Sequence, residues 1–144
     1  MTEATETTDT KTTTIETKLE IKSWDENPYR EFDDGRKFTR AEVQLGGNDD
    51  GIESAAFEAL MIYRSDGTSR YVSVMQINVD RDGRSGSLVL EGTGSYDGTT
   101  ASGEYQMVSG TGTGDLAGAS GSATSVSTKD DYPNMPLTLR YVLG

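Results

Sequence analysis

The carboxylate best placed for acid–base chemistry is Glu58, because it lies in an otherwise apolar segment that is predicted to form a strand. On such a strand it shares a face with Ala56, Leu60 and Ile62. If this face points inward, burial would favour the neutral carboxylic acid and suit it to proton transfer or to orienting a polar ligand group. If it points outward, Glu58 is a surface or interface charge. Glu58 is therefore the candidate catalytic residue, with both interpretations open.

Five further polar side chains are candidate ligand contacts beside Glu58. They are one arginine, one glutamine and three tyrosines: Arg40, Gln76, Tyr63, Tyr71 and Tyr105. Tyr63 and Tyr71 flank an Asp-Gly turn, so they are expected near the end of two neighbouring strands, where a tyrosine often packs with a solvated hydroxyl. Arg40 shares a strand face with Glu42 and Gln44, which is equally compatible with a surface position.

Composition excludes several classes of chemistry. The 144 residues include 13 Lys and Arg against 24 Asp and Glu, a formal net charge of −11, and contain neither His nor Cys. Catalytic triads, His-ligated metals, disulfides and thiolate sites are therefore excluded. The negative charge disfavours phosphate backbones and anionic lipids, so we expect no nucleic-acid or membrane partner. The lack of Cys fits a cytoplasmic location, which we predict.

Two loop types resemble ligand-binding motifs but lack required residues. The glycine-rich run at residues 109–121 has no Walker lysine, and a helix is not predicted after it. The acidic turn that starts at Asp80 places Arg84 where a calcium loop needs an oxygen ligand. The sequence therefore predicts no cofactor and no metal. Residues 1–14 are rich in Thr and poor in apolar residues, which predicts a disordered tail before a single domain at 15–144.

Regular turn signals predict the architecture of that domain. Asp-Gly pairs, which favour tight hairpin turns, recur every 15 or 16 residues at Asp34-Gly35, Asp50-Gly51, Asp66-Gly67, Asp82-Gly83 and Asp97-Gly98. Alternating or β-branched segments lie between them and predict strands of about twelve residues. Strands are predicted at a segment marked by Ile15, Leu19 and Ile21, then at residues 38–45, 51–64, 70–79, 87–96, 102–108, 119–127 and 136–143, with residues 24–29 as a turn. We predict an all-β fold, an eight-stranded antiparallel up-and-down barrel whose interior is filled or holds one small ligand.

The segment at residues 51–64 is locally ambiguous. Its apolar residues also fall on one helical face, and its residue types favour a helix as much as a strand. The regular turn spacing favours the strand, since a helix there would break the meander. As a strand it is apolar on both faces, with Phe57 and Met61 on one and Leu60 and Ile62 on the other. One face would then need cover, which favours a subunit interface and a homo-oligomer.

Several strings, in this order and spacing, resemble a known family. They are WDENPY at 24–29, FTRAEV at 38–43, EALMIYRSDGTSRYV at 58–72, GRSGSLVLEGTGSYDG at 83–98 and GTGTGDLAG at 110–118. Together they resemble the bacterial domain-of-unknown-function family 3224, from about Lys18 to the end of the chain. Tyr105 stands where an aromatic residue that is often Trp is expected. The resemblance implies an allene-oxide-cyclase-like β-barrel and implies no activity.

Three functions remain open at this point. The leading prediction is a cofactor-free barrel that binds a small, mostly apolar molecule in its interior or mouth, where barrels of this size are concave. The second is an isomerase or cyclase that acts on such a molecule through its shape and a buried Glu58. The third is a structural or subunit-interaction module with a filled barrel and no pocket.

Overall fold

Alternation of apolar and polar residues produces eight strands in the computed structural model, which describes residues 12–47 and 51–143. The strands are β1 (Thr13–Glu31), β2 (Lys37–Gly46), β3 (Ile52–Tyr63), β4 (Ser69–Arg81), β5 (Arg84–Tyr96), β6 (Thr100–Met107), β7 (Ser120–Thr128) and β8 (Asn134–Val142). Every strand pairs antiparallel with its neighbour in the chain, and β1 pairs with β8 to close the ring. The predicted all-β, eight-stranded, up-and-down barrel is confirmed.

The first strand differs most from its prediction. Residues 24–29 form no turn, because β1 runs on through them and pairs with β2 across two register shifts. At the first shift Ile21 and Ser23 pair with consecutive residues of β2, which leaves Lys22 as the extra residue of a bulge. The bulge moves the inward-facing positions from odd to even numbers, so Trp24 and Glu26 pair with the core residues Val43 and Ala41.

The amino-terminal boundary also needs correction. β1 starts at Thr13, so the last two residues of the predicted tail pair with β8. Residues 1–11 of that tail lie outside the described residues.

Most of the turns predicted from Asp-Gly pairs are present at those pairs. At the β4–β5 turn Asp82 and Gly83 both have positive φ, 55° and 78°, as a two-residue hairpin turn of type I′ demands. At the β3–β4 turn the Thr68 N–H donates to Asp66 Oδ1 at 2.9 Å. The turn at Asp50-Gly51 falls partly on residues 48–50, outside the described part of the chain.

The ambiguous segment at residues 51–64 is a strand, as predicted. Its inner face carries Phe57 and Met61 in the core. Its outer face carries Leu60 and Ile62, of which 48% and 52% remain exposed. The strand is therefore apolar on both sides: its inner face packs in the core, and no described part of the chain covers its outer face.

The barrel has two halves with different interiors. We call the half with the β2–β3, β4–β5 and β6–β7 connections the closed half, and the opposite half the open half. The closed half is filled with buried aliphatic side chains, including Ile15, Leu45, Ile52, Ile77, Leu88 and Leu139. The glycine-rich β6–β7 connection covers this end, because its short 3-10 helix (Gly114–Leu116) inserts Leu116, only 1% exposed, into the core.

Hydrogen bonds hold that cover in place. The Ser85 N–H donates to Asp115 Oδ2 at 2.9 Å, and the Ser87 N–H donates to Thr113 Oγ1 at 3.0 Å. The glycine-rich run therefore closes the barrel.

Candidate functional site

A cavity of about 410 Å³ occupies the open half of the barrel. Aromatic and thioether side chains from β1, β3, β4 and β6 line its interior: Trp24, Phe57, Met61, Tyr63, Tyr71 and Tyr105. Polar side chains from the β5–β6 and β7–β8 ends line it as well: Thr99, Ser127, Thr128, Lys129 and Asn134. The cavity opens to solvent, because its lining includes the exposed rings of Trp24 and Tyr132.

The electrostatic character of the cavity differs from that of the whole chain. The chain has a formal net charge of −11, yet the described residues that line the cavity include no carboxylate. Lys129 is the single charged side chain among them. The cavity is therefore mostly apolar, with tyrosine hydroxyls as its deep polar groups.

Two glycines make room for the tyrosines in the cavity wall. Gly94 on β5 pairs with Tyr71 on one side and with Gly103 on the other. A Cβ on Gly94 would overlap the ring of Tyr71, and a Cβ on Gly103 would come within 2.7 Å of the Tyr105 Oη. Both tyrosine rings therefore lie flat against the wall over one glycine pair, which brings their hydroxyls into the same region of the cavity.

The two hydroxyls interact with each other. Burial raises the pKa of Tyr105, and its hydrogen-bonding interaction with Tyr71 raises it further. Burial also raises the pKa of Tyr71, but the interaction with Tyr105 opposes that rise. Both phenols stay protonated at neutral pH.

A carboxylate stands directly behind the cavity wall. Glu26 accepts hydrogen bonds from three side chains: from Tyr63 Oη at 2.6 Å, from Thr39 Oγ1 at 2.7 Å and from Trp24 Nε1 at 2.9 Å. Two of these donors, Trp24 and Tyr63, line the cavity. Glu26 thus fixes the orientation of two rings at the cavity.

The protonation state of Glu26 follows from the same contacts. Burial alone would raise the pKa of Glu26, but the three hydrogen bonds, together with the nearby Lys37 ammonium, lower it below its ordinary value. Burial and the bond to Glu26 raise the pKa of Tyr63. Glu26 is therefore an ionised acceptor, a state that suits positioning of its neighbours better than removal of a proton from a ligand.

Three of the candidate residues lie on the outer surface, which corrects the prediction that they contribute to an interior site. Arg40, Glu58 and Gln76 are exposed and point away from the cavity, because the inner positions of their strands carry the neighbouring residues. Arg40 Nη2 lies 2.8 Å from Glu58 Oε1 and 3.1 Å from Glu42 Oε1. With 61% of its side chain exposed, Glu58 is a surface charge.

The structure brings the other three candidates, Tyr63, Tyr71 and Tyr105, together at the cavity. Their role as ligand contacts stays a prediction. Sequence reasoning missed Trp24 and Glu26, because residues 24–29 were interpreted as a turn. One signal was available: the apolar residues Ile15, Leu19 and Ile21 have odd numbers, and the large aromatic Trp24 that follows them has an even number, as a bulge between them would require.

The outer faces of β3 and β4 carry an apolar patch. It consists of Leu60, Ile62, Val72 and Val74, each about half exposed. Leu60 and Val72 are direct register partners, so the patch is continuous across the two strands. Arg40 and Glu58 border it.

The described residues include no group of three or more carboxylates that could hold a metal ion. Within the same ranges, no helix has the length and apolar character needed to cross a membrane.

Fold and cavity together define a class of protein: a small, closed, up-and-down β-barrel, filled at one end and hollow at the other. The particular family is given by sequence. The family model described as protein of unknown function (DUF3224) matches residues 15–141, and the chain belongs to this family. No curated protein matches the sequence.

A solved structure has the same fold. It is the 1.84 Å crystal structure of a protein with unknown function from the DUF3224 family of Shewanella oneidensis MR-1. Its identity to this chain is 19% and its TM-score is 0.71, and the match covers 93% of this chain and 99% of that one. The expected family membership is confirmed, while the relation to allene oxide cyclases stays a prediction.

Proposed function

We propose that this protein binds a small, mostly apolar molecule in the open half of the barrel, without a cofactor. The observation that carries the proposal is the cavity of about 410 Å³, lined by aromatic rings and two methionines. Its volume falls within the range of about 300–1,000 Å³ that is usual for small-molecule sites. Such sites combine an apolar lining with a few polar groups, as the tyrosine hydroxyls provide here.

The contrast with the closed half supports this proposal. Unfilled interior volume lowers stability, since the lining loses the contacts that a packed core would give. The closed half fills the same inner faces with aliphatic side chains. A chain under selection for packing alone would gain by filling the open half in the same way. Retention of the cavity favours occupation by a ligand and weakens the alternative of a filled structural module.

Binding is also favoured over the isomerase or cyclase alternative. That alternative needs a carboxyl group whose proton affinity is raised by burial, and Glu58 is instead exposed and paired with Arg40. Glu26 is held as a carboxylate by three donors. The expectations of a cytoplasmic location and of no nucleic-acid or membrane partner rest on composition and stay predictions.

Two measurements test the proposal. Native mass spectrometry, followed by denaturing extraction, would detect a co-purified molecule. Trp24, the one tryptophan of the chain, lines the cavity, so its fluorescence reports binding there. Titration with 8-anilinonaphthalene-1-sulfonate, an amphiphilic fluorophore whose aromatic rings bind apolar cavities, should enhance its emission, quench Trp24 and raise the melting temperature.

A pair of variants on one strand separates cavity binding from surface binding. Ala101 lines the cavity, whereas its neighbour Ser102 is exposed. We expect Ala101→Phe to fill part of the cavity and weaken the probe at least tenfold, and Ser102→Phe to leave binding unchanged. The proposal is overturned if no adduct is found and the probe binds both variants as it binds the wild type.

The exposed patch on β3 and β4 favours a second, separate role. We propose that it packs against a second copy of the chain. Arg40 on β2 and Glu91 on β5 border the patch on opposite sides. A two-fold axis parallel to the strands would therefore place Arg40 of each copy opposite Glu91 of the other, with the apolar residues between them.

The test of this second role is the oligomeric state by native mass spectrometry and light scattering. We expect a dimer that Leu60→Glu dissociates. Val126→Glu is the matched control, because Val126 is 57% exposed on β7, away from the patch. A monomeric wild type, or a dimer that persists in Leu60→Glu, would overturn this second role.

A further inference from the structure

The Tyr71–Tyr105 pair has two hydroxyl protons, and a hydrogen bond between the two residues takes only one of them. Each phenol has one proton to donate. The rings lie over the same glycine pair and their hydroxyls interact, so a hydrogen bond within the pair uses one of the two protons. Among the described residues, no other hydrogen-bond partner is found for either hydroxyl.

The spare proton is available inside the cavity. Tyr71 and Tyr105 both line the cavity, so whichever hydroxyl donates within the pair, the other keeps a proton that a ligand can accept.

Three other hydroxyls at the cavity already donate to groups of the protein. Tyr63 donates to Glu26 at 2.6 Å, and Tyr96 donates to the Gly98 carbonyl oxygen at 2.8 Å. Ser125 donates to the Pro136 carbonyl oxygen at 2.6 Å. The Tyr71–Tyr105 pair is thus distinguished from these three neighbours by a proton that no described residue is seen to accept.

We propose that the cavity selects apolar molecules that carry a neutral hydrogen-bond acceptor, such as a ketone or aldehyde oxygen, which accepts the spare proton of the Tyr71–Tyr105 pair. This inference rests on the proposed ligand-binding function and adds the chemical class of the ligand. A neutral acceptor is favoured over an anion, because the pair lies deep in an apolar lining where an uncompensated charge would be costly. An apolar ligand without an acceptor would leave the buried donor unpaired.

Two molecules of the same shape test the inference. Acetophenone carries a carbonyl group where α-methylstyrene carries a C=CH2 group, so the pair differs mainly in the acceptor. α-Methylstyrene is the more hydrophobic of the two, and a cavity that recognises only apolar surface would prefer it. The proposal predicts the opposite order, with acetophenone bound about 3- to 10-fold more tightly, the range expected for one neutral hydrogen bond.

Variants then locate the donor. Loss of either tyrosine alone would leave the hydroxyl of the other with a proton to donate, so the decisive variant is the double change Tyr71→Phe with Tyr105→Phe. It should remove the preference for acetophenone and leave α-methylstyrene binding within about twofold. Tyr96→Phe is the matched control, because Tyr96 lines the cavity but its hydroxyl donates to the Gly98 carbonyl oxygen, and it should keep the preference. Trp24 emission and the melting temperature are the readouts.

The outcomes separate this inference from the function on which it rests. Equal affinities, a preference for α-methylstyrene, or a ketone preference that survives in the double variant would overturn the acceptor proposal and leave a general apolar site. Failure of both molecules and of 8-anilinonaphthalene-1-sulfonate to bind the wild type would overturn the ligand-binding function itself.

Discussion

The closed and open halves of the barrel are built from the same eight strands, yet their inner faces differ in composition. The inner positions of β5 show the change within one strand: Leu88 and Leu90 are buried core residues, and Gly92 and Gly94 follow. Large aliphatic side chains fill the first half, whereas glycines and tyrosines leave a cavity in the second.

This difference separates two tasks within one small domain. The closed half supplies most of the buried aliphatic surface that stabilises the fold, and the glycine-rich loop adds Leu116 to it. The open half is less densely packed, and its tyrosine hydroxyl groups lie around the cavity. Substitutions in the closed half should therefore lower mainly the free energy of unfolding, whereas substitutions in the open half should also change ligand binding.

The largest effect is expected in the closed half. Leu139 is fully buried between Ile15 on β1 and Ala123 on β7. Leu139→Ala should lower the free energy of unfolding by about 2–5 kcal/mol, because it leaves a new cavity in a filled core. Met61→Ala is the comparison in the open half, and it should cost less because Met61 already borders a cavity. Urea denaturation measures both, and equal losses would contradict the contrast between the halves.

Gly94→Ala should have the next largest effect. The added Cβ overlaps the Tyr71 ring, so the ring must move off the wall. We expect a loss of about 1–3 kcal/mol in unfolding free energy, as for other overpacked sites, together with weaker ligand binding. Ser95→Ala, at the exposed neighbouring position, is the control and should be near neutral. A stable Gly94→Ala variant with unchanged binding would mean that the glycine is not needed for the cavity.

Sequence reasoning predicted the fold better than the site, for a physical reason. Asp-Gly turns and alternation are local signals, and they correctly predicted seven hairpin-linked segments after the first strand. The bulge at Lys22 is a feature of the β1–β2 pairing that neither turn signals nor alternation records, so its exchange of the inner and outer positions at Trp24 and Glu26 was not predicted. Glu58 failed as an interior candidate because β3 is apolar on both faces, which left its orientation undetermined by pattern alone.

Glu26→Gln should have an intermediate effect that depends on pH. The amide replaces a charged acceptor of three hydrogen bonds, and we expect a loss of about 1–2 kcal/mol at neutral pH, reduced by partial exposure. Because the folded-state pKa of Glu26 is lowered, its contribution is present above the ordinary value of 4.5 and is lost as pH falls through the folded value.

The stability of the wild type and of Glu26→Gln should therefore converge under acid conditions. Glu58→Gln, an exposed carboxylate change, is the control for the general effect of removing one negative charge. A stability difference that stays constant down to low pH would show that Glu26 contributes by shape and not by charge.

The smallest effect is expected on the outer surface, and it tests whether function lies inside the barrel. Arg40 pairs with Glu58 at 2.8 Å and with Glu42 at 3.1 Å, but all three side chains are more than half exposed. Arg40→Ala should change the unfolding free energy by less than about 1 kcal/mol, and added salt should shrink the change further, because solvent screens exposed pairs. Ligand affinity should stay as in the wild type, since Arg40 does not line the cavity. Thermal denaturation at low and high salt, with Trp24 titration on the same samples, measures both quantities. A large loss of affinity in this variant would move the binding site to the outer surface and reverse the comparison between the two halves.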